Sequence, residues 1–302
     1  AVCWTDFFQG MIMLAALLIA PLFALALAKA GDGAATGAAL PDGFFDFFTT
    51  PQDIISGLGW GLGYFGMPHI IIRFMSLKSE KELRKSSVIG ISWTTIILIM
   101  SALTAIAGRL YLGEIEDSST VFITMVRRIF PALVSGLLLS AILSAAMSTA
   151  DSQLLAASSA FASDVYKPVI RKKASDSEML WAGRIVVIVI AIVALFIASD
   201  PNSGSIMGLV ENAWGVFGAA FGPVILLSLF WKRLTFGGTV AGIAAGAAVD
   251  ILWLVFLSST DIYEIVPGFA AGLLAAVVVS LLSKGPGKDV EDLFDRAVDL
   301  KS

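Results

Sequence analysis

Apolar positions along this chain fall in long unbroken blocks, not in the short periods of a water-soluble fold. Runs of about 20 apolar residues occupy 3–28, 54–75, 87–108, 131–160, 179–199, 205–231, 237–258 and 262–283. A helix of that length crosses a hydrocarbon core of about 30 Å. The pattern therefore predicts an all-α polytopic membrane protein with about eight transmembrane helices. The polar stretches between the runs carry turn chemistry, as in Gly31-Asp32-Gly33, Pro41-Asp42-Gly43 and Asp200-Pro201-Asn202.

Inside the fourth run the polar positions are themselves periodic. Ser140, Ser144, Ser148 and Ser152 recur every four residues, with Thr149 beside them. On a helix this spacing stacks the hydroxyls along one stripe. Lipid offers them no partner, so the stripe faces other helices, water or an ion. Small hydroxyl residues also let helix backbones approach, and packing is the competing account.

The second run is punctuated differently. Gly57, Gly59, Gly61, Gly63 and Gly66 fall within ten residues and Pro68 follows. Each interior glycine costs a helix about 1 kcal/mol relative to alanine, and proline about 3. The run is expected to form a broken helix whose freed backbone groups line a protein-enclosed or watery cavity. Trp60, Tyr64 and Phe65 lie in the same stretch and supply aromatic walls. Close packing at the glycines is the alternative. The sixth run holds Gly215, Gly218 and Gly222 with Ala219 and Ala220, the density of a tight helix crossing, and Gly222-Pro223 adds a kink signal.

Charge changes the picture by fixing orientation. Basic residues cluster in alternate connections: Arg73, Lys78, Lys81, Arg84 and Lys85; then Lys167, Arg171, Lys172, Lys173 and Arg184; then Lys232 and Arg233; then Lys284, Lys288, Arg296 and Lys301. The other connections are rich in Asp and Glu. The alternation predicts a cytoplasmic start to the first span and a cytoplasmic C-terminus. Residues 114–130 are expected as a short interfacial helix on the outer surface, with Val121, Met125 and Ile129 as its apolar residues.

Composition agrees with the class: 57% of residues are hydrophobic and 15% charged, against about 25% charged in soluble domains. Cys3 and His69 are the only residues of their types, so neither a disulfide framework nor a His-rich metal site is expected. The chain starts inside an apolar run without Met or a charged leader and reads as part of a longer polypeptide. Two acids stand near membrane depth, Asp6 and Asp151, and intramembrane acids are functional candidates. No phosphate loop, GxSxG or HExxH motif occurs, which argues against ATP-driven transport and against a membrane hydrolase.

Several of these segments together carry a family resemblance: WTD at 4–6, GWGLGYFGMPHIIIRF at 59–74, SAILSAAMSTADSQLL at 140–155, SDVYK at 163–167 and AWGVFGAAFGP at 213–223. The chain resembles the sodium/solute symporter family, most of all its sodium/proline branch. The resemblance implies an inverted-repeat, leucine-transporter-like fold, of which this is the C-terminal portion. Residues 1–29 would be the last helix of the first repeat and 53–233 the second repeat. Residues 234–283 would be peripheral helices and 284–302 a cytoplasmic tail.

The resemblance further implies sodium ligation by the Ala145 carbonyl and the Ser148 and Thr149 hydroxyls. It places Asp6 near the sodium path. Asp151, where the family more often has a small uncharged residue, is either a further sodium or proton ligand or a residue tuning the exit path. Trp60, Tyr64 and Pro68 would contact substrate, and His69 and Arg73 match family positions at the cytoplasmic end of the broken helix. The implied function is sodium-coupled uptake of a small amino acid, L-proline, by alternating access across the plasma (inner) membrane. Sodium enters as co-substrate, with no cofactor, no catalysis and no nucleic-acid partner, and lipid surrounds the spans. Symport of another solute such as pantothenate or a carboxylate, a transporter-like sensor and a passive channel are the alternatives.

Overall fold

The computed structural model describes residues 2–32, 39–46, 50–75, 77, 79–200 and 203–299. Gly33, Pro201, Asn202, Lys78 and Lys301, named above as turn or orientation signals, lie outside the described residues, as does the side chain of Lys81. The described residues are helical, in the order α1 (Val2–Ala30), α2 (Pro51–Gly63), α3 (Pro68–Met75), α4 (Glu80–Leu112), α5 (Val121–Ile129), α6 (Ala132–Ala160), α7 (Asp176–Ser199), α8 (Ile206–Phe230), α9 (Phe236–Phe256), α10 (Ile265–Leu282) and α11 (Lys288–Asp299). Among them, α1, α4, α6, α7, α8, α9 and α10 are long and apolar enough to cross a membrane. The remaining expected crossing, 54–75, is the interrupted pair α2–α3, each half being too short to span alone.

The helices group into two compact units. The first comprises residues 1–45 and 77–190, and the second 46–76 and 191–302. In the first unit α1 packs on α4, α5 and α6. Its contact stripe is Ala16, Ala20 and Ala24, at four-residue spacing and almost wholly buried. Alanines at that spacing let the neighbouring backbones close in without any loss of side-chain entropy. Tyr111 and Leu112 of α4, Met125 and Val126 of α5, and Leu138 and Ala141 of α6 complete the core.

Two expectations change here. Residues 121–129 do form a short helix, but its apolar face is not left at an interface. Met125 and Val126 are fully buried against α1, α4 and α6, the cheapest place for aliphatic side chains with a packed wall available. The fourth run also does not stop at 160. The chain continues from α6 as a wider-turned π segment, Phe161–Ile170, which closes with the Arg171 N–H on the Tyr166 carbonyl at 2.8 Å. Pro168 lies inside it; proline has no N–H and clashes with a carbonyl four residues back in a regular α-helix, and the looser winding accommodates it.

In the second unit α8, α9 and α10 pack together and α2 lies on α8 and α10. The α9–α10 crossing is written as two small-residue stripes, Gly238-Gly242-Gly246-Asp250 and Gly268-Gly272-Ala276-Ser280, all buried. Pro223 inside α8 leaves the Ala219 carbonyl without its usual helical donor. That oxygen points at the bare Cα faces of Gly246 and Gly272, where a side chain would collide with it. At the other end Arg233 donates to the carbonyls of Leu281 and Ser283 at 3.2 and 3.4 Å, and Lys232 pairs with Asp295 of α11.

Candidate functional site

The first unit carries the hydroxyl stripe. The face of α6 that packs inward bears Ser135, Leu138 and Ala141; Ser135 Oγ donates to the carbonyls of Val126 (3.1 Å) and Phe130 (2.8 Å). Further along, Ser144, Ala145, Ser148 and Ser152 are half-buried on the flank of that face, while Thr149 is exposed. Ser148 Oγ donates to the Ala145 carbonyl at 3.1 Å, and Thr149 Oγ1 donates to the same oxygen at 3.2 Å. The structure thus brings Ala145, Ser148 and Thr149 into one cluster of three oxygens. Hydroxyls on a helix turn back to a carbonyl three or four residues earlier when nothing else engages them. Each keeps two lone pairs while donating, so the cluster remains an acceptor surface for a hard cation.

Neither acid joins it. Asp6 and Asp151 are half-buried, and among the described residues neither hydrogen-bonds to the cluster. Asp6 Oδ1 is shielded from solvent and has no hydrogen-bond partner there.

The second unit carries the broken helix. α2 opens on a capping box: Thr50 Oγ1 accepts from the Asp53 N–H at 3.2 Å, and Asp53 Oδ2 accepts from the Thr50 N–H at 3.2 Å. The helix then runs regularly through Gly57, Gly59 and Gly61, contrary to the expectation that these glycines interrupt it. The break comes after Gly63, over 64–67, with the Gly66 N–H on the Gly63 carbonyl at 3.0 Å. Close approach to α8 explains the position. A Cβ on Gly63 would overlap the Trp214 indole, and one on Gly66 would strike the Phe217 carbonyl and lie 2.8 Å from the Gly218 Cα.

Around the break the aromatics form a cage. Trp60 lies 5.3 Å from Tyr263 and 6.4 Å from Trp214 between ring centroids, and Tyr64 meets Trp214 edge-on at 4.9 Å. Trp214 Nε1 donates to the Trp60 carbonyl at 3.0 Å, so an indole holds backbone beside the interruption. Tyr263 is fixed at both ends: its hydroxyl donates to the Glu211 carbonyl at 2.8 Å and its N–H to Ser56 Oγ at 3.0 Å. Trp60 and Tyr64 are therefore brought together. Pro68 is not part of the cage; it is exposed and starts α3, where its fixed φ suits the first helical residue.

Sequence reasoning missed three residues. Trp214 had a readable signal, a tryptophan among small residues at a crossing. Tyr263 had none, since it is one aromatic at the very start of the eighth run, just ahead of α10. Asp250 corrects the statement that Asp6 and Asp151 are the acids at membrane depth: it is a lone carboxylate inside the seventh run and lies fully buried in α9. Its four-residue register with Gly238, Gly242 and Gly246 was legible and marks the face it occupies.

A helical membrane fold with one interrupted helix and one hydroxyl-lined helix defines a polytopic membrane protein of the discontinuous-helix kind. The chain belongs to the sodium:solute symporter family, whose model matches residues 1–246. Similar curated proteins include the high-affinity proline transporter PutP of Bacillus subtilis, 44% identical over 100% of this chain and 65% of the relative. The osmoregulated proline transporter OpuE of the same organism is 43% identical over 97% of this chain and 61% of its own length. The sodium/proline symporter of Haemophilus influenzae is 44% identical over 98% and 62%. The chain thus spans between 61% and 65% of the length of these relatives. Among solved structures, a Na+-coupled sialic acid symporter in a substrate-bound outward-open state aligns with a TM-score of 0.71. It covers 95% of this chain and 63% of its own at 20% identity, a likeness of fold.

Proposed function

We propose that a polypeptide containing this chain takes up L-proline by coupling its entry to inward sodium flow through alternating access. The observation that carries the reading is the oxygen cluster of Ala145, Ser148 and Thr149, which matches what a small hard cation takes from neutral ligands and later releases. Sodium is the co-substrate there, with Asp6 and Asp151 along its path. The Trp60–Tyr64 pair in the broken helix faces the solute, with Trp214 and Tyr263 as its support. The named functions of the similar proteins support proline. Residues 1–29 then close the first repeat, 53–233 form the second, 234–283 are additional helices and 284–302 a cytoplasmic tail. The alternating basic connections support a cell-membrane protein with its C-terminus in the cytoplasm.

The energetics are sufficient. One sodium charge moving inward through 100 mV releases about 2.3 kcal/mol. At about 1.4 kcal/mol per decade this supports roughly a 50-fold solute gradient before any sodium concentration difference is added.

Labelled-proline uptake with a competitor panel, including pantothenate and small carboxylates, tests the substrate. Proline alone should compete at low concentration; equal competition by a carboxylate would reassign it. In the same assay Trp60→Ala or Tyr64→Ala should raise the proline requirement about tenfold or more, by removing an aromatic wall. Sodium dependence should hold. Trp214→Phe keeps the ring and loses the bond to the Trp60 carbonyl, a net of about 1 kcal/mol. It should weaken proline binding about fivefold. Parallel loss of sodium binding in these variants would show that the fold, not the solute site, had failed.

A further inference from the structure

Asp250 and Glu264 are acids that the reading above does not use. Asp250 is 0% exposed and Glu264 8%. Both Asp250 oxygens and Glu264 Oε1 are shielded and have no hydrogen-bond partner among the described residues. They converge on one point: the position a Cβ on Gly215 would take lies 3.1 Å from Asp250 Oδ1 and 3.3 Å from Glu264 Oε1. Glycine at 215 leaves the gap into which both carboxyls project. On the other side Gly268 brings α10 against Asp250, with 2.9 Å from its would-be Cβ to the Asp250 Cβ.

Among the described residues nothing basic answers this pair. α2, α8, α9 and α10 contain no Lys, Arg or His. The ionisable groups facing it are Glu211 of α8 and the Tyr263 phenol, neither of which supplies positive charge. Asp53 of α2 is exposed and engaged with Thr50, and Asp261 in the α9–α10 connection is exposed. Two bare carboxylates side by side without solvent, counter-ion or donor are strongly unfavourable. A multivalent metal cation is a poor remedy, since calcium and magnesium take six or more oxygens, and no group of three or more His, Cys, Asp or Glu able to hold a metal occurs among the described residues. One proton removes a charge and creates the missing donor at once.

We infer that Asp250 and Glu264 form a proton-binding site in which one proton is held between the two carboxyl groups against Gly215. The hydroxyl of the protonated acid donates to the other carboxylate, so that one orphaned oxygen of each residue gains a partner. The site is coupled to the aromatic cage through the chain itself: Tyr263 precedes Glu264, and Trp214 precedes Gly215. Loss of the proton sets two like charges against each other behind Trp214 and Tyr263, and loosens the α8–α9–α10 crossing.

The sign of the pH effect follows. The folded chain keeps a proton that the unfolded chain releases once pH exceeds the ordinary carboxyl range near 4. Folded stability therefore falls as pH rises above that range and levels off once the folded pair has also lost its proton. The test is made on purified full-length protein in detergent, by infrared spectroscopy and thermal unfolding across mildly acidic to alkaline pH, with and without sodium.

The unsubstituted protein should show the carbonyl band of a protonated carboxylic acid at neutral pH, and a melting temperature that declines as pH rises. Asp250→Asn mimics the protonated acid in shape and donor. It should lose the band, keep the mildly acidic melting temperature and flatten the decline. If Asp250→Asn does not fold, Glu264→Gln serves the same comparison, and the infrared band is read without any variant. Absence of the band, a melting temperature that does not fall with pH, or a band displaced by sodium would overturn the proton assignment. These readouts do not involve transport, so they stand or fall separately from the proline and sodium assignments.

Discussion

Replacing Ser148 and Thr149 together by alanine should raise the sodium concentration for half-maximal uptake about 100-fold in the full-length protein. Both hydroxyls converge on the Ala145 carbonyl, and both are removed by the double substitution. A polar group engaged with a charged partner contributes about 1.5 kcal/mol or more. Two such contributions correspond to about two decades in affinity. The helix itself should not suffer, because alanine is a better helix former than serine or threonine. Expression and melting temperature in the absence of sodium should therefore match the parent, and the maximal rate at saturating sodium should largely recover. Thr149→Ser, which keeps the oxygen, should behave much like the parent. An unchanged sodium requirement in the double variant would remove α6 from the sodium site.

The second large effect concerns glycine, and its sign depends on place. Gly246→Ala should destabilise the protein by about 2 kcal/mol or more, because its new methyl falls on the Ala219 carbonyl and no flexible side chain is there to yield. That carbonyl is fixed by the α8 backbone one turn before Pro223. Gly61→Ala should do the reverse. Its Cβ meets nothing within 4 Å and it sits in a regular stretch of α2, so the gain in helix propensity is up to about 1 kcal/mol. Thermal unfolding of both variants in the same detergent checks the pair. A drop of several degrees for Gly246→Ala and a small rise for Gly61→Ala is the expected result; a drop for both would mean that α2 needs its flexibility in the folded state.

These two cases show what a sequence can and cannot reveal here. The spans were legible because lipid imposes length and apolarity on every crossing, and the hydroxyl stripe because a helix repeats nearly every four residues. The triad of oxygens did not follow from that register, which holds only Ser148 of the three; Ala145 and Thr149 came from the family resemblance. The break in the second run was legible as an event but not in position: five glycines in a row of ten look equally permissive, and only the approach of Trp214 and Phe217 distinguishes Gly63 and Gly66 from Gly57 and Gly61. The aromatic cage was half legible. Trp60 and Tyr64 share a segment, whereas Trp214 and Tyr263 arrive from about 150 and 200 residues away in sequence, by packing alone. Residues 114–130 misled because an amphipathic helix reads the same whether its apolar face meets lipid or protein. Asp250 escaped notice because one acid in a long apolar run is a weak signal until its glycine partners are set beside it.

Sodium and proline entry measured together test the account most directly. Labelled sodium and labelled proline are followed into proteoliposomes containing the full-length protein under an imposed inward sodium gradient. The account predicts saturable entry of both in a fixed ratio, with proline accumulation abolished when the gradient is collapsed and with the double Ser148→Ala, Thr149→Ala variant needing far more sodium for the same flux. Proline entry indifferent to sodium, or sodium conduction that proceeds without proline and never saturates, would contradict it.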